Sequence, residues 1–406
     1  MQVSKAFYSF IDEHADNDLA QLLLAADRYP EINMPFAVEQ IRARRYIRKK
    51  LPVWHANRSL LFPSKIAVEQ CSSEQTARYK QQLIQDENHV CDATGGLGID
   101  TYYFAQKVNR ISYIERSKEC FDIAMYNFAR LQLQNIDGYN DEVENILPQM
   151  QSVDLIYIDP ARRSKVNQRV FSLSDCEPDL VNILPLLLSK APKVIAKLSP
   201  MLDLRHTLAL LPPTNAIHVV SVRNECKELL FILQRGVENR EPDIHCIHYT
   251  TNGTEQSFRF TLSDEKSTEC AISASVQTFL YEPNASILKA GAYKQIAFRF
   301  DIEKLHTNSH LYTSGKLISS FPGRIFQVKE VFPFSGKRCK TIHRIIPQAH
   351  ISTRNFPLPA DKLRQRTRIT DGGDCYLFAT TLSNNEKVLI QCKTVDCLKS
   401  QRIVMY

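Results

Sequence analysis

The chain has 406 residues, 44% of them hydrophobic and 23% charged, and a formal net charge of +7. That length accommodates two or three domains with their own buried cores, and the composition is ordinary for a globular protein. No uninterrupted apolar run reaches the roughly 20 residues of a membrane span, and the N-terminal MQVSKAFYSFIDEHADND lacks a signal-peptide h-region.

The eleven cysteines are scattered and form no CxxC pair; Cys392 and Cys397, the nearest two, have no flanking histidines. The pattern predicts a cytoplasmic protein with reduced thiols and no metal site. Residues 1–88 read as a helical region, because LAQLLLAADRY and FAVEQIRARRYIRKK carry apolar residues at three- and four-residue spacing. IRARRYIRKK (41–50) holds six basic residues in ten, including Arg44, Arg45 and Arg48, and a second basic region runs from Lys337 through Arg344 and Arg354 to Arg368. Such clusters suit a phosphate backbone, and they equally suit solvated helix or strand faces. In SSEQTARYKQQLI, Ser72 and Gln75 fit a capping box.

From His89 short apolar runs alternate with helix-period segments, the pattern of a parallel sheet with crossover helices. The expected strands are 89–93, 111–115, 137–139, 154–159, 193–199, 217–222 and 228–233. Only RNECK separates the last two, so they pair antiparallel. A parallel α/β sheet ending in a hairpin is the methyltransferase variant of the Rossmann-like fold, here assigned to residues 89–238. After that, TFLYEPNASILKAGAYKQIA and HLYTSGKLISSFPGRIFQV mix short strands and helices, predicting an α+β module at 239–320 and another at 321–406.

The strongest motif is VCDATGGLGIDTYYFA (90–105). A strand ends at Asp92, a glycine turn follows through Thr94, Gly95, Gly96, Leu97 and Gly98, and a helix begins near Asp100. Glycines there let the backbone approach a ligand without Cβ interference. The turn lacks GxGxxG spacing and carries acids at both ends, which fits the sulfonium and ammonium of S-adenosylmethionine better than a pyrophosphate. Glu115, 23 residues after Asp92, ends the next strand where an acid accepts both ribose hydroxyls. Asp141, after the third strand, is a candidate for the adenine amino group.

DLIYIDPARR (154–163) supplies the chemistry. Methyl transfer from a sulfonium mainly requires a lone pair held in line with the methyl group. Asp159 and the Pro160 carbonyl can accept the N–H hydrogens of an exocyclic amine. Many amino-group methyltransferases have Pro and an aromatic residue next; this chain has Ala161 and Arg162, whose guanidinium can stack or bind phosphate. Carbon methylation needs a cysteine nucleophile after the fifth strand, and LSPMLD (198–203) has none. Lys197 lies at the same pocket edge, where it can contact substrate or form a structural salt link. Cys226 reads as structural.

The segments LFPSKIAVEQCSSEQTARYK, DATGGLGID, IDPARR, LSPMLD and NECKELL together resemble a group of bacterial class I methyltransferases with a THUMP-like C-terminal domain. YEPNASILKAGAYK, FPGRIF and GGDCYLFAT look like its ferredoxin-like and THUMP-like parts. FPSKIA is more distantly similar to the trimethylguanosine synthase type of cap methyltransferase. The resemblance implies S-adenosylmethionine as cofactor and RNA presented to the catalytic domain. Arg44, Arg45 and Arg48 of the basic cluster, Lys197 at the pocket edge and Arg324 are the candidate substrate contacts. The expected activity is methylation of a base nitrogen in structured RNA such as tRNA or rRNA. A DNA or protein methyltransferase of the same fold, and a non-catalytic RNA-binding protein, remain as alternatives.

Overall fold

The computed structural model describes residues 3–63, 65–162, 173–237 and 240–395. The chain forms two compact units, one of Met1–Asn215 with Leu230–Arg240 and one of Ala216–Leu229 with Glu241–Tyr406.

The first unit opens with helices Lys5–Glu13, Leu19–Leu24, Met34–Ile47, Pro52–Ala56, Lys65–Gln70 and Glu74–Gln82. Their starts follow capping chemistry: Ser4, Asp18 and Asn33 each accept a backbone N–H of the following first turn. The last of these helices differs from the expected box. Its cap is Ser73, which accepts from Thr76 N, and Ser72 is left free to turn its hydroxyl elsewhere. Phe7, Ile11, Val38, Ile41, Trp54 and Phe62 form one core with Leu97, Ile99, Tyr103 and Ile123. The helical region is therefore part of the same hydrophobic unit as the glycine-turn helix.

The strands of this unit are β1 (His89–Asp92), β2 (Arg110–Ile114), β3 (Ile136–Tyr139), β4 (Leu155–Ile158), a short pair β5 (Ala161–Arg162) and β6 (Cys176–Glu177), then β7 (Lys193–Leu198); β8 (Thr214–Val222) follows almost wholly in the second unit, and β9 (Glu225–Gln234) returns to the first from Leu230. The order β9-β7-β4-β1-β2-β3 runs across the sheet. The pairs β1/β2, β1/β4, β2/β3 and β4/β7 are all parallel. Buried on both faces, β4 reads as an unbroken apolar run, LIYI.

In the second unit β8 and the first half of β9 are joined by the two-residue turn Arg223–Asn224, both with positive φ (52° and 61°). Such a turn closes an antiparallel hairpin, tighter than the five-residue spacer expected. β10 (Asp243–Tyr249) pairs parallel with β8, and β11 (Glu255–Phe260) pairs antiparallel with β10. Residues 243–260, expected with the ferredoxin-like module, thus extend the strand set of β8.

A second sheet of this unit has seven strands: β12 (Phe279–Pro283), β13 (Glu303–Lys304), β14 (Tyr312–Ser314), β15 (Gly323–Pro333), β16 (His350–Arg354), β17 (Cys375–Thr381) and β18 (Lys387–Thr394). Their order is β13-β14-β12-β15-β18-β17-β16. The α+β segments expected as two modules share this sheet, because β12 and β15 pair antiparallel from Phe279↔Gln327 to Pro283↔Gly323. Leu280, Phe326, Phe378 and Ile390 lie in its core.

Candidate functional site

The parallel register brings the predicted acids to one edge. Asp92 ends β1 opposite Tyr113 of β2 and Tyr157 of β4, so Glu115 and Asp159, each just past its strand, leave the sheet at the same level. In open α/β sheets this carboxyl edge is where ligands bind. The turn is tied down by backbone bonds on both sides: Ala93 N donates to Tyr157 O (2.9 Å) and Gly95 N to Ile114 O (2.8 Å).

Each glycine of the turn has its own reason. A Cβ on Gly95 would lie 2.0 Å from the ring of buried Tyr113, whose hydroxyl donates to Gly96 O at 2.6 Å. Gly98 has φ +78° and would meet the Phe128 ring at 2.4 Å. Gly96, at φ +55°, meets nothing nearer than Thr94 O at 3.9 Å, so its backbone borders open space. Leu97 is buried with the helical region. Thr94 links the two key loops, its hydroxyl accepting from Asp159 N at 2.6 Å.

The acids differ in what they face. Asp92 is almost fully buried and accepts from Thr101 Oγ1 and from Thr94 N (3.3 Å). Burial, with the charges of Asp100 and Asp159 adding, pushes its pKa up to about 7. Glu115 accepts Gly96 N (2.8 Å) and Ser117 N (2.6 Å), which fixes its carboxylate against the turn. Asp141 is exposed and accepts Glu142 N and Asn145 Nδ2; the Asn145 bond and then that backbone N–H hold its pKa below the usual range.

Asp100, expected beside the cofactor, is enclosed instead. Ser72 Oγ (2.7 Å) and Tyr157 OH (2.9 Å) donate to it and Lys80 pairs with it at 2.9 Å. Burial works to raise its pKa, but Lys80 and Lys197 outweigh burial and hold it low. Its physical role is to bind the helix Glu74–Gln82 to the sheet, because a buried charge is tolerable only with such partners.

Asp159 pairs with Lys197 of β7, and Pro160 is buried. The side chain of Arg162, named as a chemistry-site candidate, lies outside the described residues; its backbone pairs with Cys176. Cys226 is pushed up to about 12 by burial, so it stays a thiol at neutral pH and has no nucleophile's character.

The basic helix needs a correction. Arg44 is buried, and its Nη2 donates to the carbonyls of Arg58 (2.7 Å) and Leu60 (2.8 Å). That guanidinium staples the loop before Phe62 and is unavailable to phosphate. Arg45 is exposed but bonds Ala15 O and Asn17 O. Arg48 is exposed without a partner among the described residues. Arg324, in the second unit, pairs with buried Glu282.

Sequence reasoning missed Tyr113, Ser72, Lys80 and Tyr157. Tyr113 was detectable, since ISYIE places an aromatic ring beside a glycine turn that needs a floor. The Lys80 network depends on long-range contacts and left no local signal.

A parallel sheet with an acid-bracketed glycine turn and Asp-Pro after β4 is the arrangement expected of the methyltransferase class. Residues 279–322 match a ferredoxin-like domain family and 323–394 a THUMP domain-like family. A crystal structure of a "putative methyltransferase" from Porphyromonas gingivalis W83 is 36% identical, covers 98% of this chain and 100% of its own, and superposes with a TM-score of 0.88. The chain belongs to the family of that protein. It is also 34% identical over 110 residues to ribosomal RNA small subunit methyltransferase J of Saccharophagus degradans, a match spanning 27% of this chain and 39% of that one. Among the described residues no helix is long and apolar enough to cross a membrane.

Proposed function

We propose that the protein is a cytoplasmic S-adenosylmethionine-dependent methyltransferase acting on a base nitrogen of structured RNA. The observation that carries this is the convergence of Asp92, Glu115 and Asp159 at one sheet edge around a glycine turn open at Gly96. The similarity to an rRNA methyltransferase and to a THUMP-like family favours RNA over DNA or protein.

Three acids suit a cationic ligand, and the open backbone at Gly96 gives it room, so the residues fit the group. Asp92 takes the methionine ammonium, Glu115 the ribose hydroxyls, and the Thr94–Gly98 turn lies along the ligand. Asp141 borders the adenine. When bound, S-adenosylmethionine supplies an electrophilic methyl group.

The chain's own residues do the positioning. Thr94 holds the Asp159 backbone, and Lys197 pairs with the Asp159 carboxylate and orients it as an acceptor for the N–H of an incoming exocyclic amine. Pro160 presents its carbonyl beside that carboxylate, and Lys197 and Arg162 meet the phosphates flanking the base. Arg45 and Arg48 contact phosphates farther along the RNA, without Arg44.

Two measurements test this reading. A calorimetric titration should give saturable S-adenosylmethionine binding that Asp92→Ala abolishes. In a competition assay for labelled methyl, tRNA or rRNA should be preferred over duplex DNA; preference for DNA overturns the substrate assignment.

A further inference from the structure

The seven-stranded sheet carries a charged cluster that the methyl-transfer site does not use. Glu282 of β12 is buried, with its side chain 2% exposed, yet it holds two arginines. Arg324 lies directly opposite it on β15 and donates through Nε at 2.9 Å and through Nη2 to the same oxygen, Oε2. Arg354, at the end of β16, donates through Nη2 to Oε1 at 2.7 Å and through Nη1 to Thr353 O at 2.9 Å.

One carboxylate neutralises one guanidinium, so the cluster keeps one positive charge. The two arginine side chains are 39% and 37% exposed, and neither Arg324 Nη1 nor Arg354 Nε has a partner among the described residues. Bringing two like charges together costs energy, and an ion pair needed only for stability is complete with one arginine. What the second arginine adds is a rigid fork of spare N–H donors, the geometry that matches a phosphate.

Aromatic rings frame the fork. The Arg324 guanidinium sits 5.4 Å from the Phe326 centroid and 5.7 Å from that of Tyr376, and His350 of β16 lies 5.0 Å from the Tyr376 ring. Tyr376 and His350 are both half-buried, so each offers ring surface to a ligand. Arg354 also acts on His310, whose pKa is pushed down to about 4 by burial first, with Lys304 and Arg354 adding to the effect, and Asp371 lies 3.8 Å from His350.

We propose that Glu282, Arg324 and Arg354 form a phosphate-binding subsite for a single-stranded stretch of RNA, with Tyr376 and His350 beside it as a stacking surface for the adjoining base. This rests on the RNA reading above and extends it to a second point of contact, outside the methyl-transfer site. Glu282 does not touch the RNA; it is a positioning residue that aligns the two guanidinia.

The test uses the full chain saturated with S-adenosylhomocysteine, so that the cofactor site is closed to nucleotides. Uridine 5′-monophosphate should bind at low salt while uridine does not, and Arg324→Gln or Arg354→Gln should weaken that binding about tenfold. Each variant should also flatten the salt dependence of tRNA binding, by about 0.7 in log–log slope for one single-strand phosphate lost. Glu282→Gln gives the opposite sign: it raises the cluster's charge and should tighten the monophosphate even where it lowers the melting temperature. Arg354→Lys, which keeps charge but loses the fork, should fall between wild type and Arg354→Gln.

Uridine monophosphate binding that is absent in the wild type, or unchanged in both arginine variants, overturns the subsite. So does tRNA binding whose slope is unaltered while the variants remain folded, a result that leaves the RNA reading standing. A wild-type chain that binds no RNA under any condition sinks the RNA reading itself, and the subsite with it.

Discussion

Adding one methyl group at Gly95 should damage the cofactor turn more than any exposed substitution on the chain. The new Cβ would lie 2.0, 2.4 and 2.7 Å from three atoms of the Tyr113 ring. That ring cannot swing aside, because it is fully buried, packs edge-on to Phe128 at 5.3 Å, and donates its hydroxyl to Gly96 O. Overpacking of this kind costs about 1–3 kcal/mol, and losing the Tyr113–Gly96 hydrogen bond adds roughly 1 kcal/mol. Gly95→Ala should therefore lower unfolding stability by about 2–4 kcal/mol and weaken S-adenosylmethionine binding at least tenfold. Urea denaturation followed by circular dichroism, with calorimetry for the ligand, measures both. Tyr113→Leu should partly rescue Gly95→Ala, giving a coupling of about 1 kcal/mol or more in a double-mutant cycle. Gly95→Ala that kept wild-type stability and affinity would refute the close-approach argument.

The other predictions concern charge. Asp92 has its folded pKa raised to about 7, so its stabilising contribution is full below the unfolded carboxylate pKa and is lost as pH rises through about 7. Its ionised form is the one that receives an ammonium, so S-adenosylmethionine affinity should fall towards tenfold per unit as pH drops below 7, and Asp92→Asn should bind weakly with no such slope. Asp159→Ala should cut methyl transfer at least 100-fold, the scale of one lost transition-state acceptor, while calorimetry still detects cofactor. Arg44→Ala should cost about 2–3 kcal/mol of stability through its two charged hydrogen bonds, read by melting. Arg48→Gln should leave the melting point alone and reduce the salt slope of RNA binding.

The parallel sheet was legible because its signals are local. HVCD, RISYI, LIYI and KVIAKL are short apolar runs bounded by polar turns, and each forms a strand within a residue or two of its expected ends. The placement of Glu115 and Asp159 was legible from position alone, since each directly follows a strand of the parallel sheet at its carboxyl edge. Four features were hidden because they depend on partners distant in sequence. Asp100 looks like a second ligand acid until Lys80, Ser72 and Tyr157 close around it. Arg44 reads as one of a basic cluster, although it shares a buried helix face with Gln40, Ile41 and Ile47; that spacing held the clue. DIHCIHY carries too many polar residues to announce β10, which is held by its register with β8. The join of β12 to β15 has no local signature, so the strand pairing that links the ferredoxin-like and THUMP-like segments was not foreseen.

The account is tested most directly by transfer of tritiated methyl from S-adenosylmethionine to total RNA, DNA and protein from cells lacking this protein. Wild-type enzyme should label an RNA fraction, and Asp159→Ala should not. Label confined to DNA or protein would contradict the RNA assignment, and label that survives Asp159→Ala would contradict the role given to the Asp-Pro edge.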